Sequence, residues 1–211
     1  MFRGILLGKE NKMQVKVVSG SVDPLFDISD AARMCTNTQD RNELKTREAF
    51  VRARIRNGEE NLLEHAFVKL EIRGISRACL QQLVRHRYHV VYSVESQRYV
   101  DQTQAGYVIP PSIKGNLAAE QAFITSCEIA LQTYKSMVNI GIKKEDARFC
   151  LPEAMKTNLQ ITYNFRGLRH LLRMRLDPKA QWEIRELARE IKRVVVEKYG
   201  TDFFAEGLNN D

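Results

Sequence analysis

Residues 66–87 read AFVKLEIRGISRACLQQLVRHR, and the change of period inside this run decides the fold. From Ala66 to Arg73 apolar and polar residues alternate, with Val68, Leu70 and Ile72 on one face and Lys69, Glu71 and Arg73 on the other. That is the pattern of a strand with one buried and one polar face. After Gly74 the period lengthens: Ile75, Ala78, Cys79 and Leu83 recur at helical spacing, which predicts a helix from Ile75 to Arg87 with an apolar stripe. Gln82, Arg85 and His86 would then share one edge of that helix.

Working outward, Met13 to Val18 alternates as an edge or half-buried strand does, and Ser19 to Pro24 reads as a polar turn. Helical patterning runs from about Ser29 to Met34, capped by Asp27 or Ser29, and from about Asn42 to Arg56, with Gly58 as a stop. Residues 88–99 lack a helical period and read as a loop or extended segment. Leu117 to Ile140 contains neither Pro nor Gly and carries apolar residues at three and four, which predicts a long core helix. Thr157 to Asn164 alternates again, with Leu159, Ile161 and Tyr163 toward the core. Arg166–Arg175 and Lys179–Tyr199 read as helices divided at Asp177-Pro178, where Pro suits a first helical turn. Strands and helices mixed in this order, without a repeat or linker, predict one α+β domain.

The whole-chain figures narrow the function classes. A chain of 211 residues, 44% of them hydrophobic, can bury a sizeable core, which excludes intrinsic disorder. Thirty-three Lys plus Arg against 26 Asp plus Glu leave a formal charge of +7. The excess sits in two stretches: nine basic against five acidic residues over 51–100, and fourteen against eight over 141–200. This is unlike a basic nucleic-acid tail, and it fits a pocket for small anions or a folded nucleic-acid face. No apolar run has the length of a membrane span or signal core, so a cytoplasmic protein is expected. Cys35, Cys79, Cys127 and Cys150 are scattered without a CxxC pair, and His65, His86, His89 and His170 form no HExxH. Reduced, mostly buried thiols and no metal site are expected.

The densest polar cluster is Arg85-His86-Arg87, followed by Ser96-Gln97-Arg98-Tyr99. A basic run at a helix end also suits a solvated terminus. Here it follows an apolar helix, gains a Ser and a further Arg nearby, and is matched by a later basic helix. Guanidinium forks and a hydroxyl are what a nucleotide phosphate requires. The run Ile75-Ser76-Arg77-Ala78-Cys79 through Gln82-Leu83-Val84-Arg85-His86-Arg87, then Ser96-Gln97-Arg98-Tyr99, closely resembles the signature of flavin-dependent thymidylate synthases. The resemblance continues through Ala31-Ala32-Arg33, Leu63-Glu64-His65-Ala66, Tyr107-Val108-Ile109-Pro110 and Glu145 to Pro152. It extends further to Lys156-Thr157-Asn158, Asn164-Phe165-Arg166, Leu168-Arg169-His170 and Ala180 to Ile184.

The resemblance implies an antiparallel sheet packed with helices over residues 13–204, between a leader (1–12) outside the family pattern and an acidic tail (205–211). It also implies a homotetramer with FAD at subunit interfaces, converting dUMP to dTMP with methylenetetrahydrofolate as carbon donor and NADPH as reductant. Neither nucleic acid nor membrane is implied as a partner. Carried over by position, Arg85, His86, Arg87, Asn164, Arg166 and His170 are flavin contacts, and Gln82, Ser96, Arg98, Arg148 and Arg175 hold dUMP. No Cys lies in a motif with a nearby base, so Ser96 is expected to bind dUMP rather than act as nucleophile. Arg175 is expected to stabilise charge developing on the uracil ring.

Three departures stand out. Eight residues, 88–95, separate Arg87 from Ser96 where seven are usual, so either Val94 or Glu95 occupies the polar position normally two before the serine. Glu95 is the chemically sensible candidate for both the flavin and the dUMP side. Glu59 stands where the family has a histidine that stacks on a ring, and Cys35 replaces a small hydroxyl residue. Two alternatives follow: a family member that binds FAD and nucleotide with altered or lost methylation, and a nucleic-acid module stacking bases on Tyr88, Tyr92 and Tyr99.

Overall fold

The alternating run at the centre of the sequence becomes β2 (Phe67–Ser76) in a computed structural model that describes residues 12–208. It belongs to a four-stranded antiparallel sheet with β1 (Gln14–Gly20), β3 (Val90–Val94) and β4 (Lys156–Asn164), in the order β1-β2-β4-β3. Between the strands come α1 (Pro24–Met34), α2 (Leu44–Arg56), α3 (Arg77–Leu83), α4 (Leu117–Asn139) and α5 (Lys144–Ala147). After the last strand follow α6 (Phe165–Arg175) and α7 (Trp182–Tyr199). The α+β class is therefore as expected. The leader 1–12 lies outside the described residues except for Lys12, as does the tail beyond Leu208.

The chain divides into two compact units. One comprises Val15–Ile72, Gln82–Ser93 and residues 160–208. Its core is the inward face of β2, where Val68, Leu70 and Ile72 are fully buried, with Ile161 and Tyr163 of β4. Against these lie the apolar stripe of α6 (Phe165, Leu168, Leu171, Leu172), that of α7 (Ile184, Leu187, Ile191, Val195), and Phe203 and Phe204. Phe165 stands 5.3 Å from Phe203 and 5.6 Å from Phe204, an aromatic cluster that holds the chain end on the helices. Glu206, in the expected acidic tail, accepts from both Arg52 (2.5 Å) and Arg56 (2.8 Å).

The second unit comprises Arg73–Gln81 and Val94–Leu159, with residues 12–14. Ile75, Cys79, Ala147 and Met155 are fully buried there. The α4 helix has the expected bounds within a residue, but it buries only Cys127 and Tyr134, and Leu117, Ile129 and Ile140 stand 85%, 62% and 78% exposed. The apolar period was real, yet only one line of it, two turns apart, is covered within its own unit.

Other boundaries differ for identifiable reasons. The first helix begins at Pro24, because the Asp23 carboxylate accepts the Phe26 amide at 2.9 Å and so caps a turn earlier than Asp27 or Ser29. The Lys179 start does not hold: Ala180 donates to the Asp177 carbonyl in a turn, and α7 begins where the Gln181 side chain accepts from Glu183 and Ile184. Most consequential is residues 75–87. The strand continues through Ser76, the helix spans only Arg77–Leu83, and Arg85 to Arg87 leave it. Of the cysteines, Cys79 and Cys127 are buried, Cys150 is half-buried and Cys35 is exposed.

Candidate active site

In the unit built on α6 and α7, the chain after Leu83 runs into a turn and does not continue as a helix edge. The His86 amide donates to the Leu83 carbonyl at 3.1 Å, closing that turn. Tyr92 of β3 buttresses it: its hydroxyl lies 2.8 Å from the Leu83 carbonyl, 2.7 Å from the His86 carbonyl and 3.1 Å from the Tyr163 hydroxyl. Arg85 and Arg87 on either side of His86 are exposed and make no ion pair among the described residues. His86 itself is only 6% exposed.

Arg175, near the C-terminus of α6, donates its Nε–H to His86 Nε2 at 2.8 Å and an Nη2 hydrogen to the Gln82 carbonyl at 3.3 Å. A guanidinium has only donors, so His86 Nε2 must be an acceptor and the imidazole proton sits on Nδ1. That Nδ1 is buried and has no partner among the described residues. Burial, then the charges of Arg175 and His170, push the His86 pKa down to about 4, so the ring is neutral at physiological pH. His170 packs edge-on at 5.5 Å between ring centroids, and Tyr88 against His170 at 6.1 Å.

The other end of α6 is set by Asn164, whose Oδ1 accepts the Gly167 amide at 2.8 Å as an N-cap. Its amide NH2 remains available. Arg166 is exposed and paired with Glu64, whose carboxyl is held low by that bond. Gly167 is required by close approach: a Cβ there would stand 2.7 Å from the Tyr88 carbonyl oxygen and 3.0 Å from that of His89. Arg166 and Arg175 are nine residues apart, about 14 Å along the helix.

In the other unit, Glu95, Ser96 and Arg98 lie on one turn. The Glu95 carboxylate accepts from Asn158 Nδ2 (2.7 Å) and Gln102 Nε2 (3.5 Å), and Asn158 Oδ1 accepts the Gly74 amide at 3.1 Å. Arg77 donates to the Glu95 carbonyl at 3.1 Å, and burial lowers its pKa. Glu95, Gln102, Asn158 and Gly74 border a cavity of about 330 Å³ that Arg73 and Lys156 also line. Ser96 Oγ accepts the Arg98 amide at 3.3 Å. Glu145 gathers two of the predicted arginines, its carboxylate accepting Arg98 Nε (2.8 Å) and its carbonyl Arg148 Nε (3.0 Å). Both guanidiniums thus keep their Nη forks for a ligand.

Structure therefore brings together Gln82, His86, His170 and Arg175 in one unit, and Glu95, Ser96, Arg98 and Arg148 in the other. Glu59, at the unusual position, is paired with Arg54 at 2.9 Å. Residue reading missed Tyr92 as a buttress, quoted Asn158 and Arg77 in motifs without giving them a role, and gave Tyr163 a place in the core alone.

Comparisons with known proteins agree with one another. The family model described as thymidylate synthase complementing protein matches residues 16–199. A flavin-dependent thymidylate synthase of Geobacter sulfurreducens is 37% identical over 191 residues, covering 87% of this chain and 82% of that protein. One from Pyrococcus furiosus is 42% identical over 135 residues, covering 62% of this chain and 55% of that protein. The crystal structure of thymidylate synthase X from Helicobacter pylori with FAD and dUMP superposes with a TM-score of 0.75 at 25% identity, covering 91% of this chain and 97% of that one.

Proposed function

This chain belongs to the flavin-dependent thymidylate synthase family, and from that premise we propose that it methylates dUMP to dTMP, using methylenetetrahydrofolate as carbon donor and NADPH as reductant through FAD. The observation that carries the reading is the Arg175 guanidinium, fixed along one edge by His86 and Gln82 with its other donors free. A cation so placed suits the negative charge on the uracil oxygens of the enolate whose C5 attacks the one-carbon unit.

The residues fit a flavin dinucleotide. The exposed, unpaired forks of Arg85 and Arg87 suit its phosphates. The buried Nδ1–H of His86 lacks an acceptor, which a ring carbonyl or nitrogen would supply. Asn164, Arg166 and His170 continue polar contacts along α6. When bound, FAD would carry the reducing electrons from NADPH to the one-carbon unit. The protein's own part is to bind and orient. Gln82 and Arg175 would hold dUMP in one set of contacts. In the other, Arg98 and Arg148 would take anionic oxygens, with Ser96 donating and Glu95 accepting. Ser96 would be a binding group: among the described residues its Oγ accepts the Arg98 amide and has no hydrogen bond to a base. We further propose a cytoplasmic homotetramer, with FAD sites completed by neighbouring copies and no nucleic-acid or membrane partner. No helix among the described residues is long and apolar enough to cross a membrane.

The test begins with the absorbance of purified protein, where flavin bands or uptake of added FAD are expected. A colourless protein that takes up none overturns the reading and favours the nucleic-acid module. Assay of dTMP from dUMP, methylenetetrahydrofolate and NADPH then separates the synthase from a second reading, in which FAD and nucleotide bind but methylation is lost. The ion-paired Glu59 in place of a stacking histidine motivates that second reading. Ser96→Ala is expected to weaken dUMP binding while turnover persists at saturation. Complete loss of turnover with unchanged dUMP affinity would make Ser96 a catalytic group. Sizing in solution tests the tetramer, with a stable FAD-loaded monomer as the contrary result.

A further inference from the structure

We propose that His86 and Tyr92 are positioning residues for Arg175: Tyr92 fixes the turn that carries His86, and His86 fixes the plane of the guanidinium that faces dUMP. The inference rests on the proposed function for what Arg175 does, but its geometry stands apart from that reading.

An arginine side chain has several rotatable bonds, and a half-buried one reaches a single orientation only if something on its near side accepts from it. Among its five N–H groups, Arg175 commits Nε–H to His86 Nε2 at 2.8 Å and one Nη2–H to the Gln82 carbonyl at 3.3 Å. Those two bonds lie along one edge of a planar group, so they set its plane and leave three hydrogens on the opposite side. His86 can accept only as the neutral ring with its proton on Nδ1. A protonated ring would present Nε2–H to the guanidinium and expel it. The charged and titratable neighbours of His86 are Arg175 and His170, and both oppose a second positive charge there.

The imidazole in turn depends on the turn that bears it, because α3 stops at Leu83 and cannot hold residue 86 by helical bonding. The Tyr92 hydroxyl supplies the missing restraint at the carbonyls of Leu83 and His86. One hydroxyl has one proton, so Tyr92 donates to one of these carbonyls while the buried Tyr163 hydroxyl donates to the Tyr92 oxygen. The column Tyr163, Tyr92, His86, Arg175 is thus continuous. Tyr92 belongs to the segment 88–95 that is one residue longer than the family pattern, so this buttress accompanies that length in this chain.

Three variants and one structure test this. His86→Phe removes the acceptor and keeps a ring, His86→Gln can restore an acceptor, and Tyr92→Phe removes only the hydroxyl. In FAD-loaded protein, His86→Phe is expected to lower kcat by about 10- to 100-fold, as misplacement of a reacting-centre group does. Tyr92→Phe should lower kcat by a smaller factor with FAD affinity unchanged, and His86→Gln should recover part of the loss. A His86→Phe enzyme with wild-type kcat, or a Gln variant no better than Phe, would overturn the proposal. A neutron structure of the FAD-free full chain reads the same claim without turnover: deuterium is expected on His86 Nδ1 and on Arg175 Nε directed at His86 Nε2. Deuterium on His86 Nε2 would refute it even if the wild-type protein proved an active synthase. If the wild-type protein made no dTMP but carried the expected deuterium pattern, the functional reading would fail and the positioning geometry would stand.

Discussion

Acidification from pH 7 to pH 5 should destabilise this protein through His86 in particular. Burial and the charges of Arg175 and His170 hold its folded-state pKa at about 4, against 6.5 for the free side chain. Below pH 6.5 the unfolded chain takes up a proton at this position that the folded chain does not accept until about pH 4. The unfolded state therefore binds more protons across that window, and stability falls as the pH falls through it. With 1.36 kcal/mol per pKa unit and these two values, the contribution lost between pH 7 and pH 5 is about 2 kcal/mol. Carboxylates held low, Glu48 by the Thr201 hydroxyl and then Arg52, and Glu60, Asp202 and Glu206 by arginines, lose stabilisation in the same direction, mostly at lower pH. The comparison with His86→Phe removes that background. Urea unfolding of both proteins at pH 7 and pH 5, at one fixed protein concentration, should show the variant losing about 2 kcal/mol less than wild type. Equal losses in the two proteins would refute the depressed histidine and the acceptor role built on it.

Other outcomes follow from single contacts. Gly167→Ala would drive a methyl against the Tyr88 and His89 backbone at 2.7 and 3.0 Å. It should cost about 1–3 kcal/mol in denaturant unfolding and weaken FAD uptake measured by absorbance, because the residues it displaces adjoin Arg87. Arg169 is 6% exposed and donates to Glu60 (2.8 Å) and to the carbonyls of Phe204 (3.3 Å) and Glu206 (2.5 Å). Arg169→Met should destabilise by about 2–4 kcal/mol in thermal unfolding by leaving buried acceptors unpaired. Thiol titration of native protein should modify Cys35 at once and Cys150 slowly, since burial raises its pKa. Cys79 and Cys127 should react only on unfolding, and early modification of either would contradict the core described for its unit.

How much of this was legible in the sequence depends on the kind of signal each element leaves. Strand β4 was read to within a residue, and β2 at its start though not at its end, which lies three residues past Arg73, because strict alternation marks both and lapses in β2 after Arg73. Helix α4 was legible as a helix but misplaced as a core element. Periodicity reports that an apolar face exists, and says nothing of what covers it. Helix starts moved wherever a side chain several residues away in sequence made the cap, as Asp23 and Gln181 do. Those caps are visible in principle as residue types, yet several candidates stood in each window and only geometry selects among them.

The candidate site shows a sharper division. Its cationic residues were recoverable because they occur in motifs, and motif matching does not need the local structure to be right. Their surroundings were not recoverable, since the predicted helix through Arg87 would have put Gln82, Arg85 and His86 on one edge. In that arrangement no turn would need Tyr92 and no imidazole would be buried against Arg175. The helix instead ends at Leu83, where its last carbonyls take other partners: Gln82 accepts from Arg175, and Leu83 from the His86 amide in a tighter turn with the Tyr92 hydroxyl against it. A long-range hydrogen bond thus overrides a local propensity, and the residue that makes it sits in a stretch whose only sequence signature was the absence of a helical period. Ending the helix early buries His86 as a neutral acceptor between two exposed arginines, Arg85 and Arg87. A single boundary therefore sets the charge state of one histidine.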